Sequence, residues 1–121
     1  VLPRDLELIV VRAPSSLGRS TNGTWSQALR ATKAAIDRAL PVDAALLGCS
    51  AYGLPLAAHV VSRGASAVYV GGGLQLLFGI LGRRWAGRAE VAAVARESWV
   101  WPSAAETPPG AQVVEGGAYW G

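Results

Sequence analysis

Two stretches constrain this chain more than anything else in it. From Val42 to His59 a short apolar run (Ala44 to Gly48) leads into small residues and Gly53, then into an apolar segment too long for a strand, Leu54 to Arg63. From Ser66 to Gly79 the order repeats, with Ala67 to Val70, Gly71 to Gly73, and Leu74 to Leu81. A buried parallel strand turning into a helix reads this way, because both elements are covered on all sides. Parallel strands joined by a helical crossover place successive strand-to-helix turns on the same sheet edge. The two glycine-rich turns should therefore lie side by side, at the edge where open α/β sheets bind ligands.

The rest of the chain extends this pattern. Leu6 to Val11 reads as a first strand, and Ser15 to Gly23 as a polar loop. Thr24 is placed to cap a helix, since its hydroxyl can accept from an otherwise unpaired amide of the first turn. Trp25, Ala28, Leu29, Ala35 and Ile36 then follow the helical period, interrupted by Thr32, until Pro41 stops the helix after Leu40. Ala44 to Gly48, apolar on both faces, suits a central strand, and Gly64 suits the end of the second helix. Ala89 to Ser98 reads as a fourth helix, amphipathic through Val91, Val94 and Ala95, and Gln112 to Glu115 as a short edge strand. Strand alternating with helix predicts one α/β domain over residues 1–121, a three-layer Rossmann-like arrangement with a small, mainly parallel sheet.

Composition narrows the function classes. A chain that is 51% hydrophobic and 16% charged is not disordered. With five tryptophans it carries more large apolar surface than one small domain hides, so a homo-oligomer is expected. The net charge of +3 comes from arginine, Lys33 being the only lysine. Its one dense cluster, Arg83, Arg84 and Arg88, is either a solvated loop or a holder of an anionic ligand, and is too narrow for a nucleic-acid face. Cys49 stands alone, which excludes an internal disulfide or a thiolate metal cluster and fits a reducing, cytoplasmic compartment. The apolar stretch from Gly71 to Leu81 is shorter than the roughly 20 residues that span a bilayer. The absence of methionine and the start at Val1 read as a fragment of a longer protein.

In the first turn, Cys49, Ser50, Ala51 and Tyr52 precede a helix whose opening amides are unpaired donors suited to phosphate or carboxylate. The spacing of Gly48 and Gly53 is not that of the dinucleotide fingerprint. The alternative is a turn that only packs strand on helix, with Ser50 a cap and Tyr52 a covering aromatic. In the second turn, Gly71, Gly72 and Gly73 admit two explanations, close approach of a ligand or close approach of the Gly48 turn. Gln75 can read a sugar hydroxyl or base edge, or face solvent. His59, among Ala57, Ala58 and Val60, reads as a core or interface histidine rather than a base, and Cys49, though at a helix start that can activate a thiol, has no nameable partner for nucleophilic chemistry. Asp5 and Glu7 precede their strand and so fall at the wrong sheet edge, whereas Glu115 leaves the last strand into a glycine pair. No catalytic set, metal-ligand set or cofactor emerges.

Three segments, Val42 to His59, Gly71 to Gly79 with Gly82-Arg-Arg-Trp85, and Val114-Glu-Gly-Gly-Ala-Tyr-Trp120, resemble the carboxyl-terminal half of a bacterial family found with polysaccharide and cell-surface genes. Trp25 with Ala28 and Leu29 matches the helix preceding that block in the family. More remotely the unit is similar to the final Rossmann-like portion of the GT-D class of glycosyltransferases. The resemblance implies a cover for a nucleotide-sugar and a metal-holding acid pair in an amino-terminal half, for which Asp5 and Glu7 are no substitute. On this reading the chain is the sugar-nucleotide-binding or phosphosugar-binding part of a glycosyltransferase-like protein. Its ligand is an anionic small molecule such as a nucleoside diphosphate sugar, with Arg83 and Arg84 supplying charge and Trp85 or Tyr119 stacking on base or sugar. The alternative is a non-catalytic α/β oligomerisation or binding module.

Overall fold

A computed structural model describes residues 2–3, 5–13 and 23–121, and the chain clusters into two units, Pro3–Leu74 and, with the first two residues, Gln75–Gly121. The loop expected from Ser15 lies outside the described residues as far as residue 22.

The first unit begins its regular structure at helix α1 (Trp25–Ala39). Thr24 caps it as anticipated. Its Oγ1 accepts from Gln27 N at 3.3 Å while Gln27 Oε1 accepts from Thr24 N at 2.7 Å, so two orphan donors are satisfied reciprocally. Pro41 ends the helix by holding Leu40 in extended backbone, and the Leu40–Pro41 peptide is cis. The buried face is Ala28, Thr32 and Ile36, one residue per turn. Thr32 is buried because its hydroxyl donates to the Ala28 carbonyl at 2.9 Å, which removes the penalty for an unpaired polar group.

Strand β1 (Ala44–Leu47), helix α2 (Gly53–Ser62) and strand β2 (Ser66–Tyr69) form a parallel β-α-β unit with Ala44 opposite Ser66 and Leu47 opposite Tyr69. Leu56 and Val60, one turn apart on α2, are the two fully buried large side chains and seat the helix on both strands. They gather Ala28, Ile36, Leu47, Tyr52 and Ala65 into one core. The helix closes where Gly64, at φ +86°, sends its amide to the Val61 carbonyl and lets Ala65 N reach Val60 O.

Two expectations fail here. Leu6 to Val11 makes no strand, and Leu6, Leu8, Ile9 and Val10 are exposed, because no strand among the described residues pairs with it. β1 is consequently not central, and Leu46 is exposed while Leu47 is buried, the alternation of a sheet covered on one face. The described sheet has two strands, and the architecture is mixed helix and strand with a small parallel sheet.

The second unit is held by short turns. Helix α3 (Leu74–Leu77) ends four residues earlier than the apolar pattern suggests. Gly79 at φ +70° reverses the chain, and Ile80 pairs with Val100 in a parallel bridge. Helix α4 (Ala89–Ala92) is likewise cut short, and Val94 is exposed. Gln112 to Glu115 is not an edge strand. Residues Ala111–Val113 and Glu115–Gly117 are 3₁₀ turns, with Glu115 and Gly116 both at positive φ, a conformation no ladder accepts.

Candidate functional site

In the first unit the two glycine-rich turns meet. β1 and β2 run parallel in register and each ends in a 3₁₀ turn, Ser50–Tyr52 and Gly71–Gly73, at the same sheet edge. A Cβ on Gly48 would stand 2.9 Å from the Gly71 carbonyl oxygen and 2.8 Å from Leu74 Cβ. Gly48 is therefore required by turn-on-turn packing, and Gly71 by its own φ of +62°. The turns do approach closely, but the approach requires glycine at Gly48 and not in the second turn, where a Cβ on Gly71 would reach only the Tyr69 ring and one on Gly73 only Val70.

Sequence reasoning missed Tyr69, which joins the turns. From the end of β2 its hydroxyl donates to the Ser50 carbonyl at 3.1 Å, and its ring lies where a Cβ on Gly53 would sit 2.2 Å away. The available signal was an aromatic at the carboxyl end of one strand and a glycine at the start of the helix following its neighbour. Ser50 itself holds φ +43°, an uncommon state for a residue with a side chain.

The remaining expected residues of this turn divide. Tyr52 is buried and stacked on Trp25 with ring centroids 5.5 Å apart, so its side chain belongs to the core. Ser50 and Ala51 are exposed, and Cys49, Gly71, Gly72 and Gly73 are half-buried. Burial raises the Cys49 thiol pKa, opposing the thiolate a nucleophile requires. His59, expected in a core or an interface, lies between two helices of the chain. Its Nε2 lies 3.0 Å from Asp37 Oδ1, and Arg63 bonds the same carboxylate from Nε at 2.9 Å, tying α2 to α1.

Gln75, Arg83, Arg84 and Glu115 belong to the second unit. Gln75 Nε2 donates to the Ile80 carbonyl at 3.3 Å. Arg83 donates to the carbonyls of Gly116 at 3.0 Å and Gly121 at 3.1 Å, while its amide donates to Trp120 O. Arg84 pairs with Glu115, donates to the Tyr119 hydroxyl at 2.7 Å, and lies over the Tyr119 ring. These arginines clamp the carboxyl-terminal strip, and Glu115 neutralises one of them. Both arginines of the loop expected to supply charge to an anion are thus engaged by groups of the chain itself. Trp85 is flanked by Arg84 and Arg88, and its indole Nε1 is buried without a hydrogen-bond partner among the described residues.

Asp5 and Glu7 are exposed on the segment that makes no strand, and no group of three or more His, Cys, Asp or Glu among the described residues is arranged to hold a metal ion. Among the described residues no helix is long and apolar enough to cross a membrane. No protein-family model, curated protein or solved structure matches this chain.

Proposed function

We propose that the paired turns of the first unit bind the phosphate of a sugar nucleotide or phosphosugar, as the binding part of a glycosyltransferase-like protein. The observation that carries this reading is the convergence of two strand-to-helix turns at the carboxyl edge of parallel strands. In α/β sheets that edge presents backbone amides toward a ligand. The strained φ at Ser50 adds support, because such conformations concentrate where a turn is built around a ligand. The residues assigned to the ligand are Cys49, Ser50, Ala51, Gly71, Gly72 and Gly73, through backbone. A three-layer Rossmann-like sheet, of which β1-α2-β2 is the repeating unit, a cytoplasmic setting and the family resemblance belong to the same proposal.

A thermal-shift panel of nucleoside diphosphates and their sugar conjugates tests it, since a ligand bound only by the folded state raises the melting temperature by mass action. A concentration-dependent rise with diphosphates is the expected result, and no shift across the panel overturns it.

The second reading, a non-catalytic oligomerisation module, is favoured by the turn packing that explains Gly48 and by exposed Leu46, Leu54, Val61 and Val68. Light scattering showing a homodimer, together with a flat thermal-shift panel, selects it.

A further inference from the structure

A cleft of about 300 Å³ opens within the second unit, lined by Gln75, Val100, Trp101, Glu106, Tyr119 and Trp120 among others. Its volume is at the lower end for a small-molecule site, which suits a single ring better than a whole nucleotide. Three aromatic side chains in one small cleft offer flat apolar faces with polar edges. Trp101 is half exposed and so presents its ring without being needed to fill a core.

Two of the lining side chains, Glu106 and Gln75, offer acceptors beside the donors of the tryptophan indoles and the Tyr119 hydroxyl. Glu106 Oε2 is held by the amide and hydroxyl of Ser103, each at 2.8 Å, which fixes the carboxylate and leaves Oε1 without a partner among the described residues. Gln75 donates through Nε2 to Ile80 O, so its Oε1 is likewise open. Among the described residues no cation lines the cleft, and Arg84 is engaged with Glu115 and the Tyr119 hydroxyl. A carboxylate without a lining cation repels phosphate and attracts hydroxyl donors.

We infer that this cleft binds a neutral pyranose ring, its C–H face against Trp101 or Trp120 and its hydroxyls donating to Glu106 and Gln75. This goes beyond the anion reading of the first unit and does not depend on it, because the two use different residues and different probes. Together they would give the chain one place for a phosphate and another for an uncharged sugar.

The test is titration of the full chain, by ligand-observed NMR and calorimetry, with methyl glycosides of glucose, galactose, mannose and N-acetylglucosamine. At least one glycoside should bind saturably, and Trp101→Ala and Glu106→Gln should each weaken it by about tenfold or more, the equivalent of roughly 1.4 kcal/mol. Glu106→Gln keeps an acceptor for Ser103, so it remains informative if the tryptophan variant fails to fold. Lys33→Ala, which does not line the cleft, should bind as the parent does. The inference is overturned if no glycoside binds saturably, if both folded variants bind as the parent, or if glucose 6-phosphate binds more tightly than the uncharged glycosides. A diphosphate thermal shift without glycoside binding would sink this inference alone, and the converse would sink only the anion reading.

Discussion

The hydroxyl of Tyr69 reaches from the end of β2 to the carbonyl of Ser50, 3.1 Å away in the turn that follows β1. That one bond links the two strand-to-helix turns across the parallel pair, and the ring beneath it occupies the space that a side chain at Gly53 would need. The Ser50 peptide is thus held from outside the turn, which is how a left-handed φ persists at a residue other than glycine.

If Ser50 is strained in this way, the side chain chosen there should set the stability of the turn. Ser50→Gly should leave the unfolding free energy unchanged or raise it slightly, because glycine accepts positive φ without penalty. Ser50→Val should lower it by about 1–2 kcal/mol, since a β-branched residue is least tolerant of that region. Denaturant unfolding of both variants decides the matter, and equal stabilities would mean the turn relaxes readily.

Gly48 faces a backbone oxygen and a helix-start side chain rather than a movable tip. Gly48→Ala should therefore destabilise the first unit by about 1–3 kcal/mol, as overpacking does elsewhere. It should do so without any ligand present. Loss of diphosphate binding in a variant of unchanged melting temperature would instead mean that Gly48 makes room for the ligand.

How much of this was legible in the sequence depended on whether local signals decided the outcome. The cap at Thr24, the stop at Pro41, the glycine at the end of α2 and the juxtaposed turns were all readable, since each follows from backbone sterics or from the β-α-β crossover. The segment from Leu6 to Val11 has a strand's composition, but a strand also needs a partner, and composition carries no record of one. Val113 and Val114, within the expected edge strand Gln112 to Glu115, were misread for the opposite reason. Their apolar run suggested pairing, and the left-handed residues Glu115 and Gly116 turn the chain away. Arg83 and Arg84 sit in a glycine-flanked stretch that looks like a solvated loop, yet their partners lie over thirty positions downstream, beyond any periodicity.

Those partners give the arginine pair a structural role that can be tested. Removing Arg83 deletes two charge-assisted bonds to the carboxyl-terminal carbonyls, each worth roughly 1.5–3 kcal/mol when well shielded, and exposure reduces the total to about 1 kcal/mol. Arg83→Ala should accordingly free the tail, seen as faster proteolysis beyond Gly116 and a weaker near-ultraviolet signal from Tyr119 and Trp120. Diphosphate affinity should not change. A tail as resistant as the parent's, with affinity reduced, would return the arginine to the ligand.

Asp37 gives the first unit an acid-sensitive joint. Desolvation works to raise its pKa, but hydrogen bonds from Arg63 and His59, with their charges, outweigh it and hold the carboxyl below the ordinary value of 3.8. Because the folded state favours the ionised form, the stabilisation is complete above the unfolded value and disappears as the pH falls through the folded one. Asp37→Asn should therefore be less stable than the parent at neutral pH, with the difference shrinking only at pH below about 3.8. Glu106, lowered chiefly by the bond from the Ser103 amide, titrates in the same direction and remains in both proteins, so it cancels from the comparison. Denaturant midpoints for parent and variant from neutral to strongly acidic pH measure the difference directly. A gap that stays constant through the acid range would show that Asp37 joins the helices by packing rather than by charge.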